Sequence, residues 1–110
     1  MLSKKDIVEI NKEFHGGQVV NGSSLEYALD TTRRSKNWLK AASMICRSVL
    51  IDHVFEDGNK RTAAAVIMTY IDMQELKYNK DKVNRIIINM LKNNTTDIRK
   101  IERLIKDVIE

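Results

Sequence analysis

Nine consecutive residues carry the side chains from which chemistry could be built: His53-Val54-Phe55-Glu56-Asp57-Gly58-Asn59-Lys60-Arg61. His53 can act as a general base at neutral pH. Asp57 is a hard oxygen ligand suited to Mg²⁺. Gly58 permits a tight turn and a close approach by a ligand. An apolar helix follows from about Asn59, and a helix N-terminus presents unpaired N–H groups and the positive dipole end to anions. Lys60 and Arg61 add two cations at that end, where they oppose the dipole and cost stability unless a polyanion compensates them. Base, metal ligand, anion cradle and cations together are the parts for group transfer from a nucleotide to a hydroxyl. Singly, each has a plainer reading: a histidine at a helix end, an Asp-Gly-Asn turn, two surface charges.

The elements that must position this segment read as helices. Ser3 with Asp6 marks a helix start, with Ile7, Ile10 and Phe14 on one face and a stop at His15-Gly16-Gly17. Residues 15–22 read as a loop or short hairpin. Ser23 or Ser24 is expected to cap a second helix through Leu25, Ala28 and Leu29. A third spans about Ser35 to Asp52, and a fourth Asn59 to Met73. The fourth is apolar nearly all round, which predicts burial at the centre of the domain. Lys80 to Leu91 and Asp97 to Ile109 read as two amphipathic helices. Their inner faces are Val83/Ile86/Ile87/Met90 and Ile98/Ile101/Ile105/Val108.

Composition agrees. The 110 residues contain no proline and only four glycines, too little punctuation for an all-β domain of this length. The expectation is an all-α, compact bundle of about six helices forming one domain, 1–110. The longest apolar run, Ala63 to Met68, is six residues and cannot span a bilayer. The opening MLSKKDIVEI has no apolar h-region, so a signal peptide is not expected, and the single Cys46 reads as a buried thiol in a reducing cytoplasm. Net charge is +4, yet the window Thr31 to Ile51 alone carries +5 from Arg33, Arg34, Lys36, Lys40 and Arg47. That window is either a surface for acidic or phosphate-bearing partners or a solvated helix face.

The nine-residue segment resembles the Fic/Doc family signature, His-x-Phe-x-(Asp/Glu)-Gly-Asn-(Gly/Lys)-Arg, at all seven defined positions. The wider resemblance is to the small death-on-curing branch, through Phe14-His15-Gly16-Gly17 and the Asn-Lys-Arg-Thr-Ala run, over most of residues 5–75. It implies the Fic fold, with His53 deprotonating the target hydroxyl, Phe55 anchoring the loop, Asp57 holding Mg²⁺, and Gly58, Asn59, Lys60 and Arg61 binding the phosphates of ATP. Two positions depart from the wider pattern. Val54 replaces a common proline, and Ala64 stands where adenylylating members carry a second arginine. Lys60 occupies the place of their usual glycine, as in the death-on-curing branch, which transfers the terminal phosphoryl group to a threonine of a translation elongation factor. The resemblance thus implies a protein kinase reaction ahead of AMP transfer, on a protein target bearing a Ser, Thr or Tyr hydroxyl. No Ser or Thr has Glu four residues on, so the family's self-restraining motif is absent and an antitoxin acting in trans is the implied partner. A basic helical nucleic-acid-binding module and a degenerate, inactive Fic-fold protein are the rival readings. No recognition helix stands out for the first, and nucleic acid is not an expected partner.

Overall fold

A computed structural model describes residues 1–110 as six helices. They are α1 (Lys4–Lys12), α2 (Gly22–Arg33), α3 (Trp38–Ile51), α4 (Asn59–Met73), α5 (Lys80–Asn93) and α6 (Ile98–Val108). No sheet forms, and only two isolated bridges occur, Val19 with Phe55 and Tyr78 with Ile109. The all-helical expectation holds. No helix is long and apolar enough to cross a membrane.

Caps account for most boundaries. Ser3 and Asp6 form a reciprocal capping box on α1. The Asn37, Asn79 and Asp97 side chains accept from the second or third backbone N–H of α3, α5 and α6. The second helix differs from expectation. It begins at Gly22 with Asn21 as its N-cap and no side-chain cap. Both serines lie inside its first turn: Ser23 Oγ donates to Asn21 Oδ1 at 3.3 Å, and Ser24 Oγ lies 2.7 Å from Ser48 Oγ and donates to the Asp52 carboxylate at 2.6 Å, joining α2 to the end of α3. The third helix starts at Trp38, because Ser35 Oγ accepts from Asn37 N–H and holds the preceding residues in a turn. Phe14 lies beyond the end of α1 and is 36% exposed, so it is not part of that helix's inner face.

The core is one cluster of 26 buried residues. Its hub is α3, which packs on α2, α4 and α6 and buries ten of its 14 residues. The apolar sequence of α4 predicts that this helix is the central one. In fact α4 packs on α1, α3 and α5 but leaves Ala65, Met68 and Thr69 half-buried. Ser43, fully buried in α3, is satisfied by donating its Oγ to the Leu39 carbonyl at 2.7 Å.

The segment after α1 does not fold as a hairpin on itself. Its backbone pairs with the loop that joins α3 to α4. Val20 N–H and Asn21 N–H both donate to the Val54 carbonyl at 2.8 and 3.0 Å, and Glu56 N–H donates to the Gln18 carbonyl at 3.0 Å. This pairing holds residues 54–56 at the junction of α3 and α4.

Candidate functional site

α3 ends at Ile51 and the backbone turns at His53, which has a left-handed φ of 54°. Such a φ is uncommon outside glycine and marks a local constraint. Val54 and Phe55 then plunge into the core, with 0 and 1% exposure, and anchor the loop. Gly58, with φ 77°, is the N-cap of α4. A Cβ there would lie 3.1 Å from Asn11 Nδ2 and 3.3 Å from His15 Cβ, in addition to the backbone strain, so glycine is required.

These turns bring one set of groups together. A cleft of about 550 Å³ is walled by His53, Glu56, Asp57, Gly58, Asn59, Lys60 and Arg61, with Phe14, Leu50 and Leu91 supplying apolar surface. Its size is ordinary for a small-molecule site. All the site residues expected from sequence reach this cleft except Phe55, which lies beneath it as the anchor.

The cleft carries two carboxylates, Glu56 and Asp57, and two cations, Lys60 and Arg61, but the start of α4 is uncompensated. α4 has no side-chain cap and no acid in its first turn, whereas four of the other five helices are capped by side chains. The N–H groups of Asn59, Lys60 and Arg61 find no backbone acceptor, since the first bond of the helix start runs from Thr62 N–H to the Gly58 carbonyl. Lys60 and Arg61 are exposed, and neither is among the chain's ion-paired cations. Free donors, a helix dipole and two unpaired cations face the same space, an arrangement suited to a polyphosphate.

Two assignments gain detail. The Asn59 side chain is occupied within the loop: its Oδ1 accepts from Phe55 N–H at 3.1 Å and its Nδ2 donates to the Phe55 carbonyl at 2.8 Å. What Asn59 can offer an anion is therefore its backbone N–H. Asp57 Oδ1 accepts from Gly58 N–H at 2.7 Å, and its Oδ2 lies 3.8 Å from His15 Nδ1. No cluster of three or more His, Cys, Asp or Glu able to hold a metal ion is present. One exposed carboxylate fits Mg²⁺ in the manner of nucleotide sites, where phosphate and water complete the shell.

The basic window does not belong to the cleft. Arg33 pairs with Asp30 at 3.1 Å, and half-buried Arg47 donates to the Thr96 carbonyl at 3.2 Å. Arg34 and Lys36 precede α3 and Lys40 lies in its first turn, about 20 Å along the axis from His53. That distance exceeds the screening length of about 8 Å at physiological salt, so these charges act weakly on the cleft.

Sequence reasoning missed Asn11, Phe14, Leu50 and Leu91. The last three reach the cleft only through tertiary packing. Asn11 did leave a signal: a polar residue four after Ile7, on the inner face of α1, both fully buried. No family model matches the chain, and neither a curated protein nor a solved structure matches it.

Proposed function

We propose that this protein transfers the terminal phosphoryl group of ATP to a hydroxyl side chain of a protein target, as a Doc-like member of the Fic/Doc family acting as the toxin of a toxin–antitoxin pair. The observation that carries the reading is the cleft itself, which gathers His53, Asp57, Lys60, Arg61 and the free N–H groups of α4.

Lys60, Arg61 and the first-turn N–H groups hold the phosphate oxygens and spread their charge. Asp57 would hold Mg²⁺, which when bound offsets phosphate charge. His53 takes the proton of the target hydroxyl. The hydroxyl oxygen then forms a bond to the terminal phosphorus, the bond from that phosphorus to the bridging oxygen breaks, and ADP leaves with the electron pair. Lys60 favours this direction over AMP transfer, because its side chain takes the space beneath the loop that a diphosphate would otherwise occupy. Ala64, buried on α4, supplies no second arginine for the adenylylating pose. No acidic side chain of the chain pairs with Lys60 or Arg61, which leaves both open to an acidic segment of a separate antitoxin chain.

The test is incubation with a cytosolic extract and ATP labelled at the α- or the γ-phosphate. Protein-bound label from γ-labelled ATP alone is expected. Label from α-labelled ATP means adenylylation, and no label from either overturns the transferase reading.

A further inference from the structure

Asn11 is fully buried in α1, outside the nine-residue segment, and all its side-chain hydrogen-bonding groups are used. Its Nδ2 donates to the Asp57 carbonyl at 3.0 Å and to Thr62 Oγ1 at 3.0 Å. Its Oδ1 accepts from Gly17 N–H at 2.8 Å. One amide thus joins the turn after α1, the loop after α3 and the first turn of α4. A primary amide suits this place because it supplies two donors and an acceptor at once.

We infer that Asn11 is the positioning residue that aims the anion-binding end of the 53–61 loop, an inference that rests on the proposed reading of the cleft as a nucleotide site. The argument runs through one peptide plane. In a trans peptide the C=O and N–H groups point in opposite directions. Drawing the Asp57 carbonyl inward to Asn11 therefore turns Gly58 N–H outward, where it meets the Asp57 carboxylate in the cleft. Thr62, held by the same amide, donates its own N–H to the Gly58 carbonyl at 2.9 Å. Both peptide planes flanking Gly58 are fixed from one buried side chain. Gly58 makes the approach possible, since a Cβ there would stand 3.1 Å from the amide nitrogen.

The test compares Asn11→Ala and Asn11→Asp with Ile105→Ala. Asn11→Asp keeps the acceptor for Gly17 N–H but has no hydrogen for the Asp57 carbonyl. Ile105→Ala is a core change on α6 that lowers stability without touching the loop. Mg·ATP affinity is measured by titration calorimetry below each variant's melting transition. Both Asn11 variants are expected to bind at least about tenfold more weakly, the scale of effects from misplacing a binding group. Ile105→Ala is expected to stay within about twofold. Equal affinity for wild type and Asn11 variants, or an equal loss in Ile105→Ala, overturns the inference. Should the Asn11 variants not fold, the side-chain amide resonances of Asn11 in the wild type must shift on adding Mg·ATP, and an absence of shift overturns it. If the wild type binds no Mg·ATP, the nucleotide reading has failed on its own. Amide exchange then judges Asn11: faster exchange in Asn11→Asp confined to residues 57–62 supports positioning, and unchanged exchange there overturns it.

Discussion

His53 keeps its backbone at φ 54°, a conformation that costs a non-glycine residue about 1 kcal/mol. The imidazole is exposed on the cleft, so no burial offsets that cost, and the proposed role as general base gives it a use. The backbone and the side chain can therefore be separated by substitution. His53→Ala should melt near the wild type and His53→Gly a few degrees above it, by up to about 1 kcal/mol of relieved strain. Both should lose transfer by at least about 10²-fold, the usual contribution of a general base. Calorimetry with a labelled-phosphate assay reads both, and a glycine variant that melts below the alanine variant contradicts the strain argument. Lys60 is the second residue that separates chemistry from fold. Lys60→Gly should lose phosphoryl transfer by roughly 10²-fold. Its stability should change by less than about 1 kcal/mol, because removing a cation from the dipole's positive end offsets the cost of glycine in a helix. A melting curve and the same assay check this pair of outcomes.

At the scale of elements, local chemistry was legible and non-local pairing was not. The Ser3–Asp6 box, the Gly58 turn and the span of α4 follow from side chains within a few residues of each boundary, which is why the sequence predicts them. The pairing of residues 18–21 with 54–56 joins segments more than 30 positions apart and leaves no local mark. The same holds for Ser24, whose bonds to Ser48 and Asp52 remove it from the capping role its type suggests. The hub was misplaced because the apolar reading of α4 rested on its middle, Ala63 to Ile71, while Lys60, Arg61, Asp72 and Met73 at its two ends are exposed; α3 is the more apolar of the two over its whole length. One element junction stays imperfect. After α5 the chain turns at Asn94, with φ 46°, and Thr95 N–H donates to the Met90 carbonyl at 2.9 Å. The Thr95 hydroxyl, in a residue 5% exposed, finds no partner. Thr95→Val removes that orphan group while keeping the shape, and it should stabilise the fold by about 1 kcal/mol. A higher denaturation midpoint at an unchanged slope is the expected result.

For the whole molecule, the single core sets both stability and its dependence on pH. Cys46 sits fully buried in α3, and burial pushes its thiol from 9.0 up to about 12. The folded state keeps the proton while the unfolded chain releases it above pH 9, so stability must fall as pH rises from 9 toward 12. The slope due to this one group is about 1.4 kcal/mol per pH unit. Denaturant melts of the wild type and Cys46→Ala across that window should differ by this slope, and parallel curves contradict it. Tyr70 is raised in the same sense by desolvation, and the comparison cancels its share because both proteins contain it. The same core carries the geometry of the cleft: Phe55 fixes the loop from below and Asn11 fixes it from the side, leaving the polar, acidic and cationic groups of the loop in the cleft. The central claim is that this cleft directs the terminal phosphate of ATP to a hydroxyl. Mass spectrometry of the target after reaction with the wild type tests it most directly, because the adduct mass reveals which phosphorus was attacked. The account predicts a gain of about 80 Da, the phosphoryl group, and a gain of about 329 Da, the adenylyl group, contradicts it.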